Sequence, residues 1–167
     1  MTQYPEPSAE TADPATLFAR YLTFYRETVV RKLRSLSEEE LRTSRLPSGW
    51  TPIELLNHLL HMERRWFLWG HLGEHVEAPW GDERDGRWQV ADDVALETLV
   101  DRLRDVGART TRLLGERSLA EQSALGGRFD DDPPTLAWVC FHVLQEYARH
   151  TGHLDVAVEL GGGDVGE

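Results

Sequence analysis

A row of polar side chains recurs along the last long helical segment of the chain, at the spacing of one helix face. His142, Glu146, His150 and His153 follow one another at offsets of four, four and three residues, and residues so spaced share one side of an α-helix. Apolar residues accompany this row, so the face borders the core of the protein. Because an unpaired carboxylate is costly in such a place, Glu146 needs a partner.

One histidine stands in the apolar stripe of an earlier helical segment. His58 lies between Leu55 and Met62 at helical spacing, so its imidazole is expected to be buried and to need a partner. Two imidazoles and a carboxylate are suitable ligands for a first-row transition metal, and the cores of helical bundles commonly hold such sites. The sequence therefore predicts that His58, Glu146 and His150 converge on a divalent cation.

Other interpretations of the histidines stay open at this stage. Histidines four residues apart on a charged helix are often solvated or hydrogen-bonded locally. His142 is a rival ligand, because it also precedes Glu146 by four residues. His71 and His75 lie at or beyond the end of the helix that carries His58, and a surface position is expected for both.

The residues that could transfer protons are less well specified. Glu63 and His61 are close enough in sequence to His58 to be considered as a general base, and nothing further distinguishes them, so no catalytic residue is assigned. The one cysteine, Cys140, lies in an apolar run of the last helix. A thiol in such surroundings is expected to be a small buried hydrophobe.

Four helical segments must position these side chains, and the predicted fold class is all-α. No stretch of useful length alternates apolar and polar residues as a half-buried strand does. The predicted helices cover about residues 14–36, 51–69, 93–114 and 135–160. The second helix has the best-defined start, because Thr51 caps it, Pro52 takes its first position and Glu54 completes a capping box. Its buried stripe is expected to comprise Leu55, His58, Leu59, Met62, Trp66 and Trp69.

A long connection is predicted between the second and third helices. Residues 71–92 contain four glycines or prolines, two tryptophans and mixed charge, which is too irregular for a helix and too long for an ordinary turn. A connection of this length can cross a bundle from end to end. Its Trp80 and Trp88 could cover an opening. A second irregular segment, residues 118–134, precedes the last helix.

The composition bounds the class of protein. The chain has 167 residues, which predicts a single domain over 1–167 with flexible ends at about 1–13 and 161–167. Its net charge of −11 opposes binding to nucleic acid and to anionic lipid. The first residues lack the features of a secretion signal, and no apolar run approaches a membrane span. A cytoplasmic protein is expected.

Two segments of the chain resemble a known family. GWTPIELLNHLLHMERRWF, and EYARHTGHLD some ninety residues later, are similar to the DinB-like superfamily. The branch is that of the short actinobacterial mini-circle or DUF664-type proteins, related to the N-terminal bundle of mycothiol-dependent maleylpyruvate isomerase. This resemblance implies a four-helix bundle with a long connection between helices two and three. It also implies a metal held by His58, Glu146 and His150, with His153 outside the ligand set.

The resemblance further implies a class of chemistry. In this superfamily a metal binds the sulfur of a low-molecular-weight thiol of the mycothiol type and directs it to an electrophile. Zinc is the metal expected, with nickel or iron as alternatives, and a homodimer is expected from the family. Because the chain ends soon after the fourth helix, without the further domain of the isomerase, isomerisation itself is not expected.

Two other functions remain open from sequence. The same metal could carry a water of lowered pKa in a hydrolase. Alternatively, the metal could be structural, in a non-catalytic binding or stress-response protein. The expected partners are a small-molecule substrate and a thiol, with neither nucleic acid nor membrane involved.

Overall fold

Four long helices pack side by side in a computed structural model of the chain, which describes residues 6–164. Helices α1 (Pro14–Arg34), α3 (Pro52–Glu63), α4 (Leu96–Glu116) and α5 (Leu136–Leu160) form the bundle, and a one-turn helix α2 (Glu38–Leu41) links the first two. Helix α1 packs against α4 and α5, and α3 packs against the same two helices. The all-α expectation is confirmed.

Local sequence signals explain where the long helices begin. The Asp13 carboxylate accepts a hydrogen bond from the backbone N–H of Thr16 at 2.8 Å, ahead of Pro14 in the first turn. At the start of α3, Thr51 and Glu54 form the predicted reciprocal capping box. A cap of this kind satisfies N–H groups that the helix itself leaves unpaired.

The core lies where the inner faces of the four long helices meet. Residues of all four helices are fully buried there, and Cys140 is among them, as expected. Burial raises the pKa of the Cys140 thiol to about 12. Within residues 6–164 no helix is both long and apolar enough to cross a membrane.

The second bundle helix changes its winding half-way along. Helix α3 runs directly into a π-helix, Arg64–His71, in which the N–H of Leu72 reaches back to the carbonyl of Phe67 at 3.0 Å. The wider turn shifts the phase of the side chains. Trp66 and Trp69, expected in the buried stripe, are therefore only half-buried.

The connection between the π-helix and α4 is long, as predicted, but it contains a small hairpin that the sequence analysis did not anticipate. Strands β1 (Glu83–Arg84) and β2 (Arg87–Trp88) pair antiparallel. Their two-residue turn has φ of +53° at Asp85 and +74° at Gly86. An Asp-Gly pair with positive φ is favoured in tight hairpins, so the DG dipeptide was the available signal.

The ends of the chain were expected to be flexible over about residues 1–13 and 161–167. Residues 1–5 and 165–167 lie outside the described part of the chain. Just inside that limit, the backbone N–H of Asp164 donates to the Ser35 hydroxyl at 2.8 Å.

Candidate metal centre

The structure brings together the three residues predicted as metal ligands. His58 comes from α3, and Glu146 and His150 lie one turn apart on α5. One potential ligand atom from each side chain lies within 4.8 Å of the other two. His150 Nε2 is 3.1 Å from Glu146 Oε2, and the rings of His58 and His150 have centroids 4.9 Å apart. The side chains are only 10–17% exposed, so the cluster lies at the edge of the core with one side open.

A buried carboxylate from the long connection orients His58. His58 Nδ1 lies 2.9 Å from Asp82 Oδ2, and Asp82 is 1% exposed. An ionised carboxylate can only accept hydrogen bonds, so Nδ1 carries the proton and donates it. In the neutral form of His58, the remaining lone pair is then on Nε2. A carboxylate behind a histidine is the usual support of a metal-binding imidazole.

Asp82 is held in its ionised form by a neighbouring arginine. The Arg65 guanidinium donates two hydrogen bonds to it, from Nη1 to Oδ1 at 2.5 Å and from Nη2 to Oδ2 at 3.1 Å. Burial raises the pKa of Asp82, but the hydrogen bonds from His58 and Arg65 and the charge of Arg65 outweigh it and lower the pKa to about 2. The carboxylate therefore stays an acceptor at neutral pH.

A tryptophan of the hairpin packs against both imidazoles. Trp88 stacks on His58 with centroids 4.1 Å apart and planes 17° from parallel. It meets His150 edge-on, with centroids 5.2 Å apart, and Trp50 supports it at 6.0 Å. Trp88 thus covers one side of the cluster and limits rotation of the two rings.

His150 is neutral at physiological pH. Burial, and then the nearby charge of His58, lower its pKa to about 4, although Glu146 acts in the opposite direction. Neutral imidazole is the form that coordinates a metal ion. His150 Nδ1 is buried and has no hydrogen-bond partner within the described part of the chain, so the polar capacity of this ring is incompletely satisfied.

The donor set fits a divalent cation. Ligands at the usual zinc distances of about 2.0–2.2 Å lie roughly 3–4 Å from one another around the ion. The present separations of up to 4.8 Å need only small side-chain shifts to reach that arrangement. Three protein groups leave further coordination positions for a small molecule, which is typical of catalytic sites.

The rival ligands lie outside this cluster. His142 packs one turn earlier on α5, with its ring 4.0 Å from Trp66 and 5.3 Å from Trp138, centroid to centroid. His153 is exposed, with its ring 6.0 Å from that of His150.

The two residues considered as a general base are placed elsewhere. His61 Nδ1 lies 4.0 Å from Asp82 Oδ1 and makes no hydrogen bond to it. Glu63 is fully buried and accepts hydrogen bonds from Arg26 at 2.9 and 2.6 Å, Thr110 at 2.7 Å and Tyr147 at 2.7 Å. These four residues come one from each bundle helix, so Glu63 joins the helices inside the core and does not face the metal cluster.

His71 corrects an expectation. A surface position was expected for it, but it is 3% exposed and its Nδ1 lies 3.2 Å from the Ser123 hydroxyl. The helix continues to His71, and the loop before α5 lies against this residue, since the backbone N–H of Ala124 donates to the His71 carbonyl at 2.9 Å. His75 is exposed, as expected.

Asp82 is the residue of the site that sequence analysis missed. It is 24 residues from His58 in sequence, in a connection without helical periodicity, so no spacing rule links the two. The one available signal was its place just before the DG turn of the hairpin.

Comparison with known proteins identifies a family for this chain. No curated protein matches the sequence. Residues 17–162 match the family model described as Mycothiol-S-transferase, a span that includes the three clustered residues and Asp82. Because that match covers most of the chain, the protein belongs to the mycothiol-S-transferase family.

Proposed function

We propose that this protein is a metal-dependent transferase that joins a low-molecular-weight thiol of the mycothiol type to an electrophilic small molecule. The observation that carries the proposal is the convergence of His58, Glu146 and His150 within a chain of the mycothiol-S-transferase family. Zinc is the expected metal, because two imidazoles and a carboxylate in an open site suit it, with nickel or iron as alternatives.

Each residue of the centre has a distinct part in this proposal. His58, Glu146 and His150 would hold the cation, and Asp82 would keep His58 in the tautomer that presents Nε2. A divalent cation held there favours the thiolate form of a bound thiol, which is the nucleophilic form. Trp88 excludes water from one side of the two imidazoles. Since Cys140 is buried with a raised pKa, the reacting sulfur comes from the cosubstrate.

Metal content tests the ligand set directly. Elemental mass spectrometry of untagged protein is expected to find about one divalent metal per chain, and much less in His58→Ala, Glu146→Gln and His150→Ala variants. His75→Ala serves as the matched control, because His75 is exposed and outside the cluster, and it should keep its metal. Equal metal in His150→Ala and wild type would contradict the site.

Dependence on added thiol tests the reaction class. The metal-loaded protein is expected to consume an electrophile such as monochlorobimane only when mycothiol is present, and chelation should abolish that turnover. Product release without thiol would instead indicate a hydrolase. Retained metal with no thiol binding by calorimetry, together with a melting temperature that falls on chelation, would indicate a structural site.

A further inference from the structure

A second group of side chains, beside the candidate metal centre, combines a cation with aromatic rings. The guanidinium carbon of Arg128 lies 4.1 Å from the ring centroid of Trp66, 5.4 Å from that of Trp80 and 6.0 Å from that of Trp69. We call these four residues the Arg128 cluster. Trp66 and Trp69 come from the π-helix, and Trp80 from the long connection. Arg128 comes from the loop before α5.

The Arg128 guanidinium is open to solvent and has no acceptor among the described residues. Within residues 6–164 its side chain makes no hydrogen bond and no ion pair, although it is half-buried. Burial, and then the charge of Arg65, lower its pKa, but a guanidinium remains charged at neutral pH. Stacking on indole rings uses the two faces of the planar guanidinium. Its N–H donors lie in the plane of the group and remain free for an acceptor. Because three indole rings hold this guanidinium in place, its donors are available to bind an anion.

Arg65, the neighbour of this cluster, shows which anion such an arrangement holds. Its guanidinium carbon lies 4.4 Å from the centroid of the same Trp80 ring. In its plane it binds the carboxylate of Asp82 through two hydrogen bonds. A guanidinium stacked on Trp80 therefore already holds a planar carboxylate edge to edge. Arg128 offers the same fork, and its single positive charge balances the single charge of a carboxylate.

A series of side-chain contacts joins the Arg128 cluster to the helix that carries Glu146 and His150. Arg128 and His142 both contact Trp66, at 4.1 and 4.0 Å respectively. His142 precedes Glu146 on α5 by one helical turn, a rise of about 6 Å. Contacts through Trp66 and His142 therefore connect Arg128 to the turn of α5 that precedes Glu146.

We propose that Arg128 binds a carboxylate of the electrophilic substrate and so places the reacting carbon of that substrate at the candidate metal centre. Only the placement of the reacting carbon rests on the proposed transferase function. The binding of a carboxylate by Arg128 does not depend on it. The substrate class it names is an electrophile that carries a carboxylate. Arg128 is then a specificity-determining residue.

Binding of a simple carboxylate tests the inference without metal or activity. Benzoate titrated into chelated protein is expected to change tryptophan fluorescence in a saturable way, because three indoles surround Arg128. Its uncharged isostere benzamide should bind about tenfold more weakly or worse. Arg128→Ala should lose this preference for benzoate, and Arg128→Lys should retain part of it. Arg112→Ala removes the same charge at an exposed site on α4 and should leave it unchanged.

Two results of this titration would overturn the inference. One is equal binding of benzoate and benzamide to the wild type. The other is an unchanged preference for benzoate in Arg128→Ala.

Kinetics with matched electrophiles identify which reactant carries the carboxylate. With mycothiol, the metal-loaded protein should convert 4-chloro-3-nitrobenzoate. In this reaction the sulfur of the thiol displaces chloride from the ring, and the thiol proton is released. Arg128→Ala is expected to raise KM for this compound about tenfold, with little change for 4-chloro-3-nitrobenzamide. N-Acetylcysteine and its amide test instead for a carboxylate on the thiol. If Arg128→Ala raises KM only for the thiol that carries the carboxylate, the assignment to the electrophile is wrong.

The two proposals fail in distinguishable ways. Benzoate binding that depends on Arg128, without any thiol-dependent turnover, would support the carboxylate site and contradict the transferase function. Thiol-dependent turnover with no preference for carboxylate electrophiles would support the transferase function and contradict the carboxylate site.

Discussion

Asp82 is the side chain on which the orientation of a candidate ligand depends, although it is not itself in the ligand cluster. Asp82→Asn removes the anion that obliges His58 Nδ1 to be the donor. The metal affinity of the protein is expected to fall by about 10–100-fold, the usual loss when the group behind a metal-binding histidine is changed. Competition with a chromophoric chelator measures this affinity.

Asp85→Asn is the matched control for this substitution. Asp85 is exposed in the turn of the same hairpin, with φ of +53°, a conformation that asparagine tolerates well. Its metal affinity should equal that of the wild type. An Asp82→Asn protein that binds metal as tightly as Asp85→Asn would show that Asp82 only holds Arg65.

His71 makes stability depend on pH at a place remote from the metal cluster. Burial lowers its pKa below the usual value, which is about 6.5 in an unfolded chain. The unfolded state therefore binds a proton that the folded state does not, so stability is fully present above that pH and is lost as the pH falls below it. In chelated protein, His71→Asn should reduce the slope of unfolding free energy against pH between 7 and 5 by up to about 1.4 kcal/mol per unit.

Urea unfolding at several pH values measures that slope. His75→Asn is the control, because His75 is exposed, and its slope should match that of the wild type. If the slope for His71→Asn equals the slopes of the wild type and of His75→Asn, then His71 takes up its proton while the protein stays folded.

The three candidate ligands could be predicted from sequence because their placement follows from helix geometry. Glu146 and His150 are four residues apart on one helix, and His58 lies in the apolar stripe of another. Asp82 could not be predicted in this way, because the conformation of a long connection depends on tertiary contacts. Arg128 was missed for the same reason, since its indole partners come from two other segments.

At the scale of elements, the long helices follow from periodicity and capping residues, whereas the change of winding after Glu63 does not. The sequence from Arg64 to His71 continues a helical pattern, and one extra residue per turn leaves no local mark. Its consequence is large, because it turns Trp66 and Trp69 outward to meet Arg128 and buries Arg65 beside Asp82. The π-helix therefore positions both the tryptophans that contact Arg128 and the arginine that binds Asp82.

Two helical glycines give an element-scale prediction with opposite signs. A Cβ at Gly152 of α5 would meet no atom within 4 Å, whereas one at Gly107 of α4 would lie 2.9 Å from Arg26 Nε. Gly152→Ala is expected to raise the unfolding free energy by roughly 0.5–1 kcal/mol, the usual gain in a helix interior. Gly107→Ala should lower it, because Arg26 is held by Glu63 and cannot move freely.

Chemical unfolding of both variants in chelated protein separates packing from helix propensity. Equal gains in unfolding free energy for Gly107→Ala and Gly152→Ala would show that the Arg26 side chain moves aside at little cost. A lower unfolding free energy in Gly152→Ala would show that this surface of α5 is covered in solution by atoms other than those of the described residues.

At the scale of the whole molecule, one buried carboxylate ties the four bundle helices together. Glu63 of α3 is bonded to Arg26 of α1, Thr110 of α4 and Tyr147 of α5. Both partners of the ion pair are almost fully buried. Removing one charge therefore leaves the other without compensation, and Glu63→Gln is expected to cost about 3–5 kcal/mol of stability.

Tyr147→Phe keeps both charges and removes a single hydrogen bond to the carboxylate, so it should cost only about 1–3 kcal/mol. The double variant Arg26→Met with Glu63→Gln should be more stable than Glu63→Gln alone, because no lone charge remains in the core. Urea unfolding of chelated protein, followed by circular dichroism, measures these variants together with Arg26→Met alone. A double variant that loses the sum of the two single losses would mean that Arg26 and Glu63 stabilise the bundle independently. The recovery expected instead would show that Arg26 and Glu63 stabilise the bundle as a pair.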